Sequence, residues 1–308
     1  MEIKIKIREL KKTFGDFIAV DGLTFDVYAN EIFGLLGPNG AGKTTTINMI
    51  CGLLPITSGN IVFDHRTSAD KPFIGYCPQE NIFYPKLTCL EQLVFIGQMY
   101  GLTAESAHQK SLELLNLIGL ESKAQTRAGR LSGGMKRRLN LCLALVHDPE
   151  ILILDEPEAG LDPQSRVLVR DFIQSIGKKK TIILTTHNMD EADRLADRVA
   201  IIDHGKLLLL DSPQNLKRTV GEGDVMELVT ENSAENIRTA FTEHIATIAP
   251  DITMNENSIF IKHANMIEQL PAIKKMAEIS GLVITEIKLR ENSLEDVFIH
   301  LTGRNLRQ

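Results

Sequence analysis

The segment Gly37-Pro38-Asn39-Gly40-Ala41-Gly42-Lys43-Thr44 has the spacing G-x-x-x-x-G-K-[ST]. Glycines at these positions let backbone N–H groups curl around phosphate oxygens, and a helix beginning at Lys43 adds the partial positive charge of its N-terminus. Lys43 is placed to reach β- and γ-phosphates, and the Thr44 hydroxyl to ligate Mg²⁺. Thr45 completes the expected phosphate-binding set. The apolar run Ile32–Leu36 just before the loop reads as a strand, which is the context this spacing requires.

A phosphate site that does hydrolysis also needs acids at the end of a neighbouring strand. Ile151-Leu152-Ile153-Leu154-Asp155-Glu156 supplies two. Asp155 is expected to hold Mg²⁺, directly or through water, and Glu156 to polarise the attacking water as general base. Between the two sites lies Leu131-Ser132-Gly133-Gly134-Met135-Lys136-Arg137-Arg138, where a Ser precedes two glycines at a helix start. This is a second anion-binding nest. One phosphate loop needs no second nest in its own subunit, so Ser132 and Gly134 are expected to serve a nucleotide bound elsewhere.

With these motifs the chain resembles the ATP-binding subunits of ABC transporters, over about residues 3–219. In that family the Ser132 segment corresponds to the signature that clasps the γ-phosphate held by the opposite subunit of a dimer. The usual form ends in Gln where this chain has Met135. The other motifs follow in order. Gln79, in Gly75-Tyr76-Cys77-Pro78-Gln79, matches the glutamine that touches Mg²⁺ and water and links the site to membrane subunits. Ala159-Gly160-Leu161-Asp162 matches the loop that crosses the dimer interface, and His187 the switch histidine that senses the γ-phosphate. Phe14 lies where the family stacks an aromatic on adenine, with Phe17 a nearby competitor. Glu158 stands where the family usually has Thr. It is expected to be a solvated side chain, the alternative being a third carboxylate that perturbs Glu156 or repels phosphate.

The elements that must position these residues are legible in the pattern. Ile3, Ile5 and Ile7 alternate with Lys4, Lys6 and Arg8, the period of a half-buried strand. From Thr88 to His147 the pattern is helical. Thr88 with Glu91 makes a capping-box start, a second helix runs from about Ala104 to Ile118 and stops at Gly119, and a third follows Ser132. The runs Ile151–Leu154, Thr181–Thr185, Val199–Asp203 and Lys206–Leu210 read as buried strands, which suggests a parallel sheet covered on both faces. The resemblance implies an α/β P-loop nucleoside triphosphatase of ABC type, with a mixed sheet core, an antiparallel β subdomain and a helical subdomain at about 88–148.

Gly221-Glu222-Gly223 reads as a linker, so the boundary is expected between an ATP-binding domain over 1–220 and an accessory α+β domain over 221–308. The accessory region has β-α-β-β-α-β order and a final helix Leu294–Leu301, with Ser293 as N-cap, Asp296 at the third helical position and Gly303 just past the end. Its tail resembles the accessory domain of ABC-2 type export ATPases through Leu294-Glu295-Asp296-Val297-Phe298 and Leu301-Thr302-Gly303-Arg304. By that analogy the region stabilises a dimer or regulates. In the bare pattern, Leu294, Val297, Phe298 and Leu301 form one helical stripe packed on its own domain.

The 308 residues carry a net charge of −6, and the whole excess lies from Val220 onward. An acidic chain of 43% hydrophobic and 24% charged residues is an ordinary globular protein and argues against a nucleic-acid binder. No run approaches the ~18–20 apolar residues of a membrane span. Met1–Lys6 does not read as a secretory leader, and Cys51, Cys77, Cys89 and Cys142 show no metal or disulfide spacing.

The resemblance therefore implies an ATPase acting as a homodimer, with MgATP between two copies. It would sit at the cytoplasmic face of the membrane, driving transport, of export type, through separate polytopic membrane subunits. The segment Asn81-Ile82-Phe83-Tyr84-Pro85-Lys86-Leu87 is the expected docking surface. The alternative is a soluble ABC ATPase acting on ribosomes or nucleic acid. Against it stand the single phosphate loop and the lack of room for a coiled coil between Lys43 and Asp155. The cargo is not legible.

Overall fold

The computed structural model describes residues 2–64, 73–219, 224–231, 235–245, 251–254, 258–263 and 266–302. The expected linker at 221–223, and Gly303 and Arg304, lie outside them. The chain divides into two compact units, Met1–Pro213 and Gln214–Gln308.

The first unit contains two sheets. Strands β1 (Ile3–Phe14), β2 (Phe17–Tyr28) and β4 (Ser58–Phe63) form an antiparallel sheet in the order β2-β1-β4. Ile5, Ile7 and Leu10 turn inward, and the strict alternation breaks at Glu9, whose φ of 47° kinks the strand. The larger sheet holds β3 (Ile32–Leu36), β5 (Ile74–Cys77), β6 (Ile151–Asp155), β7 (Thr181–Thr186), β8 (Arg198–Asp203) and β9 (Lys206–Asp211), in the order β5-β6-β7-β3-β8-β9. β3, β6 and β7 are buried at every residue. Both faces are covered, which is why they read as continuous apolar runs.

The alternation along β6 assigns residues to two cores. Ile151 and Ile153 pack with Ile5, Ile7, Phe25 and Phe33 toward the antiparallel sheet. Leu152 and Leu154 pack with helical residues such as Leu93, Leu139 and Phe172 on the other face.

β9 runs antiparallel to β8, which makes the mixed sheet that the resemblance implied, where the apolar runs alone suggested a parallel one. Only His204 and Gly205 separate the strands, with φ of 46° and 76°. A two-residue turn of this hand closes a hairpin, whereas a parallel neighbour needs a long crossover.

Among the described residues, six α-helices precede β8. They are α1 (Lys43–Ile50), α2 (Cys89–Met99), α3 (Ala104–Leu117), α4 (Gly133–Leu145), α5 (Pro163–Gly177) and α6 (Met189–Leu195). The capping box at Thr88 is present: its Oγ1 accepts from Glu91 N at 3.1 Å, and Glu91 Oε2 accepts from Thr88 N at 2.8 Å. α3 ends as the pattern predicts, with Gly119 at φ 67°. A short helix, α7 (Pro213–Thr219), follows β9.

The second unit carries a four-stranded antiparallel sheet of β10 (Asp224–Thr230), β11 (Asp251–Met254), β12 (Ser258–His263) and β13 (Ile284–Arg290), in the order β11-β12-β10-β13. Helices α8 (Glu235–Ile245) and α9 (Met266–Ser280) supply Phe241, Ile245, Met266 and Ile273 to a core with Met226, Leu228, Ile259 and Ile261. This is the β-α-β-β-α-β order expected. Helix α10 (Leu294–Thr302) is capped as predicted: Ser293 Oγ accepts from Asp296 N at 3.3 Å. Leu294, Val297 and Phe298 are buried, while Leu301 is 39% exposed, so the apolar stripe fades at its end.

Candidate functional site

The parallel strands of the large sheet deliver their carboxyl ends to one edge, where open α/β sheets bind ligands. β3 runs into the glycine loop, β5 into Pro78-Gln79, β6 into Asp155-Glu156 and β7 into His187. The loop depends on missing side chains. Gly42 has φ 100°, and a Cβ there would lie 2.5 Å from the Ala19 carbonyl oxygen. No other residue fits that turn. Pro38, Asn39, Gly40 and Ala41 form its span, and Lys43 opens α1 with its side chain 5% exposed.

Lys43 Nζ donates to the Gly37 carbonyl at 2.7 Å and the Pro38 carbonyl at 3.0 Å, and lies 3.8 Å from Glu156 Oε1. Burial lowers its pKa, while the charges of Glu156 and Asp155 act to raise it. Thr44 Oγ1 lies 3.5 Å from Asp155 Oδ1, which also accepts a short hydrogen bond from Thr185 Oγ1. Thr45 is half-buried and follows on the same turn.

Glu156 sits at φ 48°, in the left-handed region that costs a branched or long side chain about 1–3 kcal/mol. Its own N–H secures the conformation, bonding to the Thr185 carbonyl at 3.1 Å and to Thr185 Oγ1 at 3.0 Å. Both carboxylate oxygens are held. Oε1 meets His187 Nδ1 at 3.0 Å, and Oε2 accepts from Gln79 Nε2 at 3.2 Å. Lys43, Thr44, Gln79, Asp155, Glu156 and His187, brought from four strand ends, therefore form one cluster.

Ser132, Gly134 and Asp162 form a second cluster and make no hydrogen bond to the first among the described residues. Ser132 caps α4, its Oγ accepting from Met135 N at 3.3 Å. Asp162 caps α5, accepting from Ser165 N at 3.0 Å and Ser165 Oγ at 2.7 Å. These bonds lower the Asp162 pKa. The two helix starts touch closely: a Cβ at Gly134 would lie 2.2 Å from Ser165 Oγ. Phe14 is at the tip of the β1–β2 hairpin, with Lys12 Nζ 5.0 Å from its ring centroid. It is 49% exposed against 64% for Phe17.

Glu158 is not solvated as the sequence reading expected. It is 4% exposed and makes a two-pronged ion pair with Arg170, at 2.9 and 2.8 Å. The partner lies on α5, where its guanidinium fork matches the carboxylate geometry. Sequence reasoning also missed Glu191 and Arg137. Glu191, on α6, is 3% exposed and accepts from Thr186 Oγ1 at 2.6 Å. Burial pushes its pKa up to about 7, helped by the charges of Glu158 and Glu156 and opposed by the Thr186 bond and Arg170. Arg137 is 2% exposed and lies against the carboxyl end of β6. Its signal was the helical spacing of Gly134, Arg137, Leu141 and Ala144, which puts the arginine on the buried face of α4.

A phosphate-loop spacing with two carboxylates gathered at the same sheet edge is the arrangement of a nucleoside-triphosphate site. Comparison with known proteins narrows the class. The family model described as ABC transporter matches residues 20–159. Linearmycin resistance ATP-binding protein LnrL of Bacillus subtilis is 38% identical, over 98% of this chain and 99% of its own length. Nod factor export ATP-binding protein I of Burkholderia lata is 38% identical over 98% of each chain. A solved ATP-binding subunit of an ABC transporter matches 71% of this chain and 93% of its own, at 28% identity and a TM-score of 0.64. The cbiO1 structure from Clostridium perfringens matches 71% and 94% at 26% identity, with a TM-score of 0.65. The chain belongs to the ATP-binding family of ABC transporters, whose members bind and hydrolyse ATP to power transport. The ribosome-directed alternative falls with that assignment.

Proposed function

We propose that this chain is the ATPase of an exporter, working as a pair of copies at the cytoplasmic face of the membrane and driving separate membrane-spanning subunits. The carrying observation is the convergence of Lys43, Gln79, Asp155, Glu156 and His187 at one sheet edge. The names of the two relatives above, one of which includes export, support the direction of transport. Among the described residues no helix is long and apolar enough to cross a membrane, so the pathway is assigned to other chains.

In this reading Lys43 neutralises the β- and γ-phosphates and Phe14 stacks on adenine. Glu156 accepts the proton of the attacking water. His187 and Gln79 hold its two oxygens, so the carboxylate is oriented before water arrives. Thr44, Asp155 and Gln79 offer oxygen donors, and among the described residues no group of three or more His, Cys, Asp or Glu is arranged to hold a metal ion by itself. That donor set fits Mg²⁺, which keeps waters and phosphate oxygens as its remaining ligands. When bound, Mg²⁺ would supply charge neutralisation at the phosphates. The signature at Ser132 and Gly134, with Asp162 beside it, would face the nucleotide of the other copy. The docking surface is Asn81–Leu87, where Ile82 and Tyr84 are exposed and the backbone is pinned by Asn140 and Gln92.

The test is Glu156→Gln. MgATP binding should persist while steady-state hydrolysis falls by ~10²-fold or more, as expected for a lost general base. Wild-type turnover in this variant would contradict the assignment.

A further inference from the structure

Arg137 is a buried cation that no proposed catalytic step uses. It makes five hydrogen bonds, every one to a main-chain carbonyl oxygen. Nε donates to Pro157 at 3.1 Å. Nη2 donates to Asp155 at 2.7 Å and Glu156 at 3.0 Å. Nη1 donates to Gln79 at 3.1 Å and, in a short bond, to Pro78. All five N–H donors of a guanidinium are available for such use, and their planar fork fixes the acceptors relative to one another.

These carbonyls belong to two segments remote in sequence. One carries Gln79; the other carries Asp155 and Glu156. Gln79 Nε2 in turn grips Glu156 Oε2 at 3.2 Å, so the guanidinium fixes the backbones of both partners in that contact. Arg137 itself rides on α4, the helix that Ser132 caps. One turn further along, Asn140 Oδ1 accepts from Ile82 N at 3.1 Å, and its Nδ2 donates to Asn81 Oδ1 at 3.3 Å. The same helix therefore holds the catalytic strand end and the segment after Gln79. The next residue, Arg138, donates to the Ile118 carbonyl at 2.8 Å and ties the helix to the end of α3.

We infer that Arg137 is a positioning residue for hydrolysis. It sets the left-handed Glu156 and Gln79 in register, and it ties that register to the signature helix. This rests on the reading of Glu156 as the base. A packing role alone would require only an apolar side chain of similar volume. A positioning role requires the fork.

The experiment uses the full chain and Arg137→Lys, Arg137→Gln and Arg137→Met, each alone and combined with Glu156→Gln. Arg137→Gln and Arg137→Met should lower kcat about 10- to 100-fold, the scale of a displaced catalytic group. MgATP affinity and KM should stay within about threefold, because the phosphate loop is untouched. Arg137→Lys, which keeps the charge and loses the fork, should recover only part of kcat. In the Glu156→Gln background, Arg137→Gln should add no further loss to residual single-turnover hydrolysis, since two residues acting through one carboxylate are not additive. Full kcat in Arg137→Met, or an additive loss in the double variant, would overturn the proposal. So would loss of folding in all three single variants, as judged by circular dichroism, because it would make Arg137 a structural keystone. If Glu156→Gln alone turned over at the wild-type rate, the reading of the base would fail first; if only the Arg137 variants were silent, that reading would stand and this inference would not.

Discussion

At the residue scale, three carboxylates within three positions of each other meet different fates, and position alone does not decide them. Asp155 and Glu156 face the site, whereas Glu158 turns away to Arg170, twelve positions along the chain in α5. No periodicity in the sequence links those two, so a solvated Glu158 was the natural reading. The cationic neighbour offsets part of the repulsion that an unpaired third carboxylate would bring, although the Glu158 charge still helps to raise Glu191. Glu191 is the residue whose ionisation is costly. The fold raises it from 4.5 to about 7, so between those values the folded chain binds more protons than the unfolded chain. Its contribution to stability is complete below about pH 4.5 and is lost as pH rises through about 7, a change of about 3 kcal/mol. Glu191→Gln never has to ionise. Its urea midpoint relative to the wild type should therefore rise between pH 5 and pH 8. A difference that stays flat across that range would show that Glu191 is ionised in the fold at both values. The motif residues that meet at the sheet edge stood out in the sequence because the chemistry proposed for them demands fixed types at fixed spacing. Arg137 did not, because nothing in the run Lys136-Arg137-Arg138 tells which of its side chains the helix buries.

At the element scale, α4 and α5 meet at their first turns with almost no room. Gly134 is required there because Ser165 occupies the space a Cβ would take. Gly134→Ala should force the two helix starts apart and lower both thermal stability and ATPase activity, with an overpacking cost of about 1–3 kcal/mol. Adding Ser165→Gly, which removes the obstructing side chain, should recover part of the lost stability. If the single variant melts like the wild type, the helices are not packed as closely as described. Strand and helix positions were largely readable from period and caps, as at Thr88 and Ser293. The direction of β9 was not, because an apolar run is the same for either neighbour. The two-residue turn at His204-Gly205 held that information.

At the scale of the whole molecule, the division at Pro213/Gln214 leaves every residue of the proposed site in the first unit. The acidic excess beyond Val220 distinguished the two regions in the sequence, but charge carries no signal for the residue at which packing changes hands. The proposal of a paired assembly has its own consequence. Ser132→Arg should leave nucleotide binding to the single chain intact, since Gly37–Thr44 is unchanged, and should block hydrolysis. Lys43→Ala should lose tight MgATP binding. Mixed, the two inactive variants should regain activity, because the intact loop of the first faces the intact signature of the second. A Ser132→Arg chain that no longer binds ATP would instead place the signature in its own chain's pocket. The thiols make such an assembly easy to observe. Cys77, Cys89 and Cys142 are buried and Cys51 half-buried, and burial pushes Cys51 up to about 12 and Cys77 up to about 11, with Cys89 and Cys142 also raised. Almost no thiolate exists on them at neutral pH. One cysteine added on the surface would then take a maleimide spin label or dye selectively, with the native four left in place. The spacing between such probes on two copies would report directly on how far nucleotide draws them together.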